Sequence, residues 1–129
     1  MKKILFVCVH NAGRSQMAEA FFNHFALGKA VAFSAGTRPE PEMSPRTIKI
    51  MREAGIELDD HRPKLLTPEM LSEADRVITM GGDVRSAGPS LLSDAEEWAL
   101  GNPRGRPLAE ARRVRDEIKD RVRELIEEL

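Results

Sequence analysis

The chain holds one cysteine in 129 residues, no tyrosine and a single tryptophan. One cysteine excludes an intrachain disulfide and a cysteine-ligated zinc site, which leaves burial or chemistry for that sulfur. At 5% aromatic the chain has too few rings for a base-stacking platform. It also lacks an excess of either charge: 20 Lys+Arg against 21 Asp+Glu leave a net charge of −1. No field therefore points to nucleic acid or to an acidic membrane surface. No apolar run approaches the roughly 20 residues needed to cross a bilayer. The six apolar residues Ile4–Val9 after Met1-Lys2-Lys3 are too few for a signal-peptide core with a cleavage site. Repeats, low-complexity tracts and linkers are missing too. What is there, 41% hydrophobic and 32% charged residues, is a globular composition. Its length suits one domain over 1–129. The expectation is a monomeric cytoplasmic protein with no nucleic-acid or membrane partner.

Ile4-Leu5-Phe6-Val7-Cys8-Val9 is apolar without alternation, as in a strand buried on both faces of a parallel sheet. Loop-type residues His10–Ser15 end it. Met17, Ala18, Phe21, Phe22 and Phe25 then recur at helical spacing, up to a stop at Gly28. Ala30–Ser34 reads as a second strand and Gly36–Pro45 as a loop. Ser44-Pro45 and Thr67-Pro68 are paired helix-start signals. The first opens a helix that turns Ile48 and Met51 inward and stops at Gly55; the second opens a short helix ending near Glu73. Arg76–Met80 is a third strand, Gly81–Pro89 a loop, and Glu97–Leu100 a weak fourth strand. Leu108, Ala111, Val114, Ile118, Val122, Leu125 and Leu129 mark a long final helix with a charged outer face. This alternation predicts an α/β fold, a parallel sheet with helices on both faces. In such sheets ligands sit at the carboxyl ends of the strands, and Cys8 lies at one.

The segment Cys8-Val9-His10-Asn11-Ala12-Gly13-Arg14-Ser15 carries the chemistry. A cysteine ends a buried strand, a glycine-containing loop follows, and a helix starts near Ser15. The backbone N–H groups of Val9, His10, Asn11, Ala12, Gly13 and Arg14, with the first helical turn, make an anion cradle. Arg14 adds a planar fork for a tetrahedral oxyanion. The same donors favour a thiolate at Cys8, and Ser15 can donate a hydrogen bond to it. Asn11 suits a left-handed backbone conformation and a loop-bracing amide, and Gly13 a close approach of backbone to ligand. A lone cysteine is ordinarily a small buried apolar residue. The strand before it, the Arg-Ser pair and the helix after it favour the oxyanion-binding loop.

Residues Phe6 to Ala20, reading FVCVHNAGRSQMAEA, closely resemble the arsenate reductases built on the low-molecular-weight protein tyrosine phosphatase fold. Phe33-Ser34-Ala35-Gly36-Thr37, Asp75–Gly81, Trp98–Pro103 and Arg112–Ile118 extend the resemblance over nearly the whole chain. It implies a three-layer sandwich with a four-stranded parallel sheet, Cys8 as nucleophile, and Arg14 with the loop amides as oxyanion clamp. It also implies a general acid, an Asp directly before a Pro ahead of the last helix. Here Asn102-Pro103 stands at that place, and an amide is no proton donor of that kind. Thioredoxin-coupled members carry further cysteines beyond the third strand, where this chain has none. Some members bind potassium beside the loop. Asn11, Glu19 and Ser34 match three of those ligands, while the acidic fourth position falls at or near Lys64, whose ammonium then takes the ion's place. No metal is expected.

Reducing arsenate takes two thiols, and this chain supplies one. The resemblance therefore implies an external thiol (glutathione-, mycothiol- or bacillithiol-like) or a redoxin as reductant, with no tightly bound cofactor. The favoured reading is an arsenate reductase-like enzyme working through a Cys8–arsenate adduct. The alternatives are a low-molecular-weight tyrosine phosphatase acting on a phosphotyrosine protein through a phosphocysteine, and a weakly catalytic module that binds arsenate or phosphate. Phosphatase chemistry suffers more from Asn102, because losing a general acid typically costs about 10²–10⁴-fold. Asp94, Glu96 and Glu97 are alternative acids. Elsewhere His10 has two readings, a part in the field at Cys8 or solvent exposure. His24 reads as a surface residue and Asp59-Asp60-His61 as a turn. Met51, Met70 and Met80 read as core filler, Trp98 as a wall of the site or plain packing, and Arg85 and Arg104 as loop residues near the mouth.

Overall fold

The computed structural model describes residues 1–81, 84, 92 and 95–129. Most of the loop expected over Gly81–Pro89, including Arg85, and also Asp94 lie outside the described residues. Four strands, β1 (Lys2–Cys8), β2 (Ala30–Gly36), β3 (Arg76–Met80) and β4 (Glu96–Trp98), form one sheet in the order β2-β1-β3-β4. Every neighbouring pair is parallel. Among the described residues the helices are α1 (Arg14–Ala26), α2 (Pro45–Glu53), α3 (Pro68–Glu73) and α4 (Leu108–Glu128). This is the expected three-layer α/β sandwich.

β1 is central, and its residues explain why. Ile4, Leu5, Phe6 and Val7 are wholly buried and Cys8 is 3% exposed. Successive side chains point to opposite faces, so a run buried at every position requires cover on both. Phe6 faces Phe22 of α1 and Trp98 of β4, with ring centroids 6.2 and 5.5 Å away. α1 packs on β1, β2 and α4, α2 packs on α4, and α3 touches β1.

Both Pro-led helices start as their sequences demand. Ser44 and Thr67 cap α2 and α3 by accepting from the N–H groups of Thr47 and Met70. α1 ends on Leu27 and Gly28, both at positive φ, and Gly55 takes φ +85 after α2. Ile48 packs partly buried against the core and Met51 is wholly buried, as expected, and Ile50 joins them on the inner face. Two expectations need correction. β4 begins one residue before Glu97 and ends at Trp98, short of Leu100, since its register with β3 runs from Glu96 to Trp98. Leu129, the cap residue after the last helix, is 44% exposed rather than part of its buried stripe.

Candidate active site

β1 delivers Cys8 to the carboxyl edge of the sheet, beside Gly36 of β2. The chain then turns through residues 9–13 into α1, with Asn11 in the left-handed region at φ 51 as its residue type suggested. The segment after β2 sets the direction of the loop's peptides. Thr37, Arg38, Glu40 and Ser44 donate their backbone N–H groups to the carbonyls of Cys8, Val9, His10 and Ala12. In a planar trans peptide the N–H points opposite to the C=O. The N–H groups of Val9, His10, Asn11 and Gly13 are therefore turned away from that segment. For Asn11 the group reached is Cys8 Sγ, at 3.2 Å. α1 starts at Arg14 and adds the positive end of its helix dipole.

This close association of β2 with the loop depends on Gly36. A Cβ there would lie 2.7 Å from the Val9 carbonyl oxygen and 2.9 Å from the Asn11 Cβ. Gly36 also donates to the Lys64 carbonyl and accepts from Leu66 N, which ties in the 64–66 segment.

Behind the loop runs a hydrogen-bonded chain with a defined polarity. The Lys64 backbone N–H donates to Asn11 Oδ1 at 2.9 Å, which fixes the orientation of that amide. Asn11 Nδ2 then donates to Ser15 Oγ at 2.7 Å and to Ser34 Oγ at 3.0 Å. Ser15 Oγ lies 2.7 Å from Cys8 Sγ, and Ser34 Oγ donates to Glu19 Oε1 at 2.7 Å. Gln16, wholly buried, donates to both Asn11 Oδ1 and the Arg62 carbonyl. Its Oε1 is 2.8 Å from His61 Nδ1, which must be the donor because Gln16 presents an oxygen. His61 Nδ1 is also 3.5 Å from Glu19 Oε2, and Lys64 Nζ is 3.8 Å from Glu19 Oε1.

The residues matched to potassium ligands do not fit that ion here. The Asn11 oxygen already accepts from two N–H groups, Ser34 Oγ already accepts from Asn11 Nδ2, and the Lys64 ammonium faces the Glu19 carboxylate. Among the described residues no group of three His, Cys, Asp or Glu side chains converges as metal ligands.

In front of Cys8 opens a cavity of 480 Å³ that takes in Cys8, His10, Ala12, Gly13 and Arg14. Arg14 is 5% exposed and reaches the Leu100 carbonyl at 3.5 Å. The far wall carries Asn102, Pro103 and Arg104. Asn102 is exposed at the mouth, and its Oδ1 accepts from Arg104 N at 3.1 Å. Arg104 Nη1 lies 2.6 Å from Glu40 Oε1, and His10 Nδ1 lies 3.5 Å from the same oxygen. The hydrogen bond and charge of Arg104 hold the Glu40 carboxyl below its usual range. His10 is thus engaged at the rim.

Of the alternative acids within the described residues, Glu96 is clamped by Arg76 through two hydrogen bonds, and neither it nor Glu97 lines the cavity. Trp98 is also absent from its walls; it packs between Phe6 and the Arg121 guanidinium. His24 is exposed, Asp59 and Asp60 form a turn, and Met51 and Met80 are core.

Sequence reasoning missed Gln16, His61 and Glu40. Gln16 and His61 are 45 residues apart, and no local pattern links them. For Glu40 the loop position beside two prolines held no signal of its pairing.

Residues 3–129 match the family described as low molecular weight phosphotyrosine protein phosphatase. An arsenate reductase of Staphylococcus aureus (strain bovine RF122 / ET3-1) is 35% identical over 120 residues, 92% of this chain and 91% of that protein. A solved arsenate reductase in its phosphate-binding state is 33% identical, with a TM-score of 0.88 over 99% of this chain and 98% of that one. A thioredoxin-dependent arsenate reductase from Corynebacterium glutamicum is 37% identical with a TM-score of 0.80, over 99% of this chain and 61% of that one.

Proposed function

The chain belongs to the low molecular weight phosphotyrosine protein phosphatase family, and from that premise we propose that it is an arsenate reductase that draws its second thiol from another molecule. The observation that carries this reading is the sulfur of Cys8 on a cavity floor, with Ser15 Oγ at 2.7 Å, Asn11 N at 3.2 Å and the Arg14 guanidinium lining the same cavity. These groups stabilise negative charge on sulfur and on a tetrahedral ion alike.

In the proposed reaction the Cys8 thiolate attacks arsenic in bound arsenate. An S–As bond forms and one oxygen leaves, protonated, as water. A second thiolate attacks Cys8 Sγ. An S–S bond forms, the S–As bond breaks, and its electron pair stays on arsenic, which falls from the +5 to the +3 state and departs as arsenite. Two sulfurs have each given one electron. The mixed disulfide is then reduced by a further thiol, such as that of a redoxin. The similarity to a thioredoxin-dependent reductase supports a thiol-based reductant.

The phosphatase route uses the same cradle but needs a proton for the leaving oxygen. Asn102 offers a carboxamide at the family's acid position, and Glu40 is kept ionised by Arg104. Arsenate gives up an oxygen more readily than a phosphate ester gives up an alkoxide, so the altered acid costs the reductase less.

The test is arsenate-dependent oxidation of reduced nicotinamide cofactor, coupled through glutathione, a redoxin and its reductase, beside hydrolysis of p-nitrophenyl phosphate. Turnover of arsenate that disappears in Cys8→Ser is expected. Failure of every thiol system to support it, with phosphate-ester hydrolysis intact, overturns the reading.

A further inference from the structure

The cavity is far larger than the ion its loop holds. A tetrahedral oxyanion displaces only a few water volumes of about 30 Å³ each. The cavity encloses 480 Å³, within the range of about 300–1,000 Å³ that accepts a small organic molecule. Beyond the loop its walls include Met17, Met43, Pro45, Ile50, Pro103 and Ala111. Two bridges join the opposite walls. Glu40 meets Arg104 at 2.6 Å, and Arg46 Nη2 donates to the Arg106 carbonyl at 2.6 Å. Cys8 lines the same cavity and is 3% exposed. A thiol small enough to enter the cavity can reach that sulfur with both contacts kept.

The charges of the cavity narrow the choice of small thiol. Arg104 is matched by Glu40, and Glu42, also on the lining, is exposed. Arg46 lines the same cavity, half-buried, and among the described residues it has no carboxylate partner. Its one hydrogen bond, to a backbone carbonyl, leaves most of the guanidinium's five N–H donors unused. An aryl phosphate brings one anion, which the loop takes, and has none for Arg46.

Resting on the reductase reading above, we propose that this lobe binds the reducing co-substrate, a low-molecular-weight thiol with at least one carboxylate. Arg46 receives the carboxylate and the apolar walls hold the body of the molecule. The thiolate then faces Cys8 Sγ to form the S–S bond as the S–As pair returns to arsenic.

The experiment compares glutathione with its diethyl ester, the same thiol with its carboxylates masked, as reductants at saturating arsenate. For the wild-type protein, kcat/KM for glutathione is expected to exceed that for the ester by about five- to tenfold. Arg46→Met removes that preference, Arg46→Lys keeps part of it, and neither changes the KM for arsenate. S-methylglutathione is expected to compete with glutathione and not with arsenate. Equal use of acid and ester by the wild-type protein overturns the site while leaving the reductase reading intact, and so does full turnover with thioredoxin alone. That wild-type ratio decides the matter even if the Arg46 variants fold poorly. Failure of every thiol overturns both readings.

Discussion

Cys8 Sγ and Ser15 Oγ lie 2.7 Å apart, a hydrogen bond in which the serine hydroxyl can be the donor. Ser15 Oγ already accepts from Asn11 Nδ2, whose amide is oriented by the backbone N–H of Lys64. The serine is thus left free to donate towards sulfur. Asn11 N donates to the same sulfur at 3.2 Å, so the backbone and a hydroxyl both reach it.

Ser15→Ala is expected to cut arsenate turnover and the rate of Cys8 alkylation by iodoacetamide together. A hydrogen bond to a charged group is worth about 1.5–3 kcal/mol, or roughly 10- to 100-fold in rate. Steady-state kinetics and timed alkylation give the two numbers. An alkylation rate equal to wild type would mean that the serine does not act on sulfur.

Gly36→Ala tests the packing behind the loop. The added methyl meets the Val9 carbonyl at 2.7 Å, and backbone gives way only by moving the loop. Overpacking of this kind costs about 1–3 kcal/mol. Urea denaturation is expected to show that loss, and turnover to fall in the folded variant. Wild-type values for both would place the loop's constraint elsewhere.

Asn102→Asp restores a carboxyl at the cavity mouth. Hydrolysis of phenyl phosphate, a poor leaving group, is expected to rise by up to about 10²-fold, with p-nitrophenyl phosphate gaining less. Arsenate turnover changes little. Equal gains on both esters would show that no proton is delivered to the leaving oxygen.

A pH effect follows from the contact between α2 and α4. Arg112, by hydrogen bond and charge, and then Arg115 draw the Glu53 carboxyl down from 4.5 to about 2. A carboxyl lowered by folding adds stability above its unfolded value of 4.5, and this is lost as pH falls through about 2. Glu53→Gln is therefore expected to lower Tm near neutrality, with the gap to wild type closing as pH drops below about 4.5 towards 2. Thermal melts across that range check it. A gap that stays constant would assign the loss to packing.

Features that were legible in the sequence share a local cause. The apolar run of β1, the Ser44-Pro45 and Thr67-Pro68 starts, and a cysteine followed by a turn, an arginine and a helix each depend on residues within a few positions. So does the left-handed Asn11. Backbone preference and strand or helix period act at that range, and a single chain displays them directly.

Tertiary structure decided what those residues meet. Only folding brings residues 37–44 against the loop to turn its carbonyls outward, and sets Gln16 beside His61 and Glu40 beside Arg104. It also sends Trp98 to pack on Phe6 and puts Lys64 where a metal ligand was matched. Hydrogen bonds and ion pairs between distant segments have no period and no fixed spacing. The local motif therefore determined a cysteine at a strand end followed by a turn, an arginine and a helix, while packing determined which groups surround the sulfur and what lines the cavity before it.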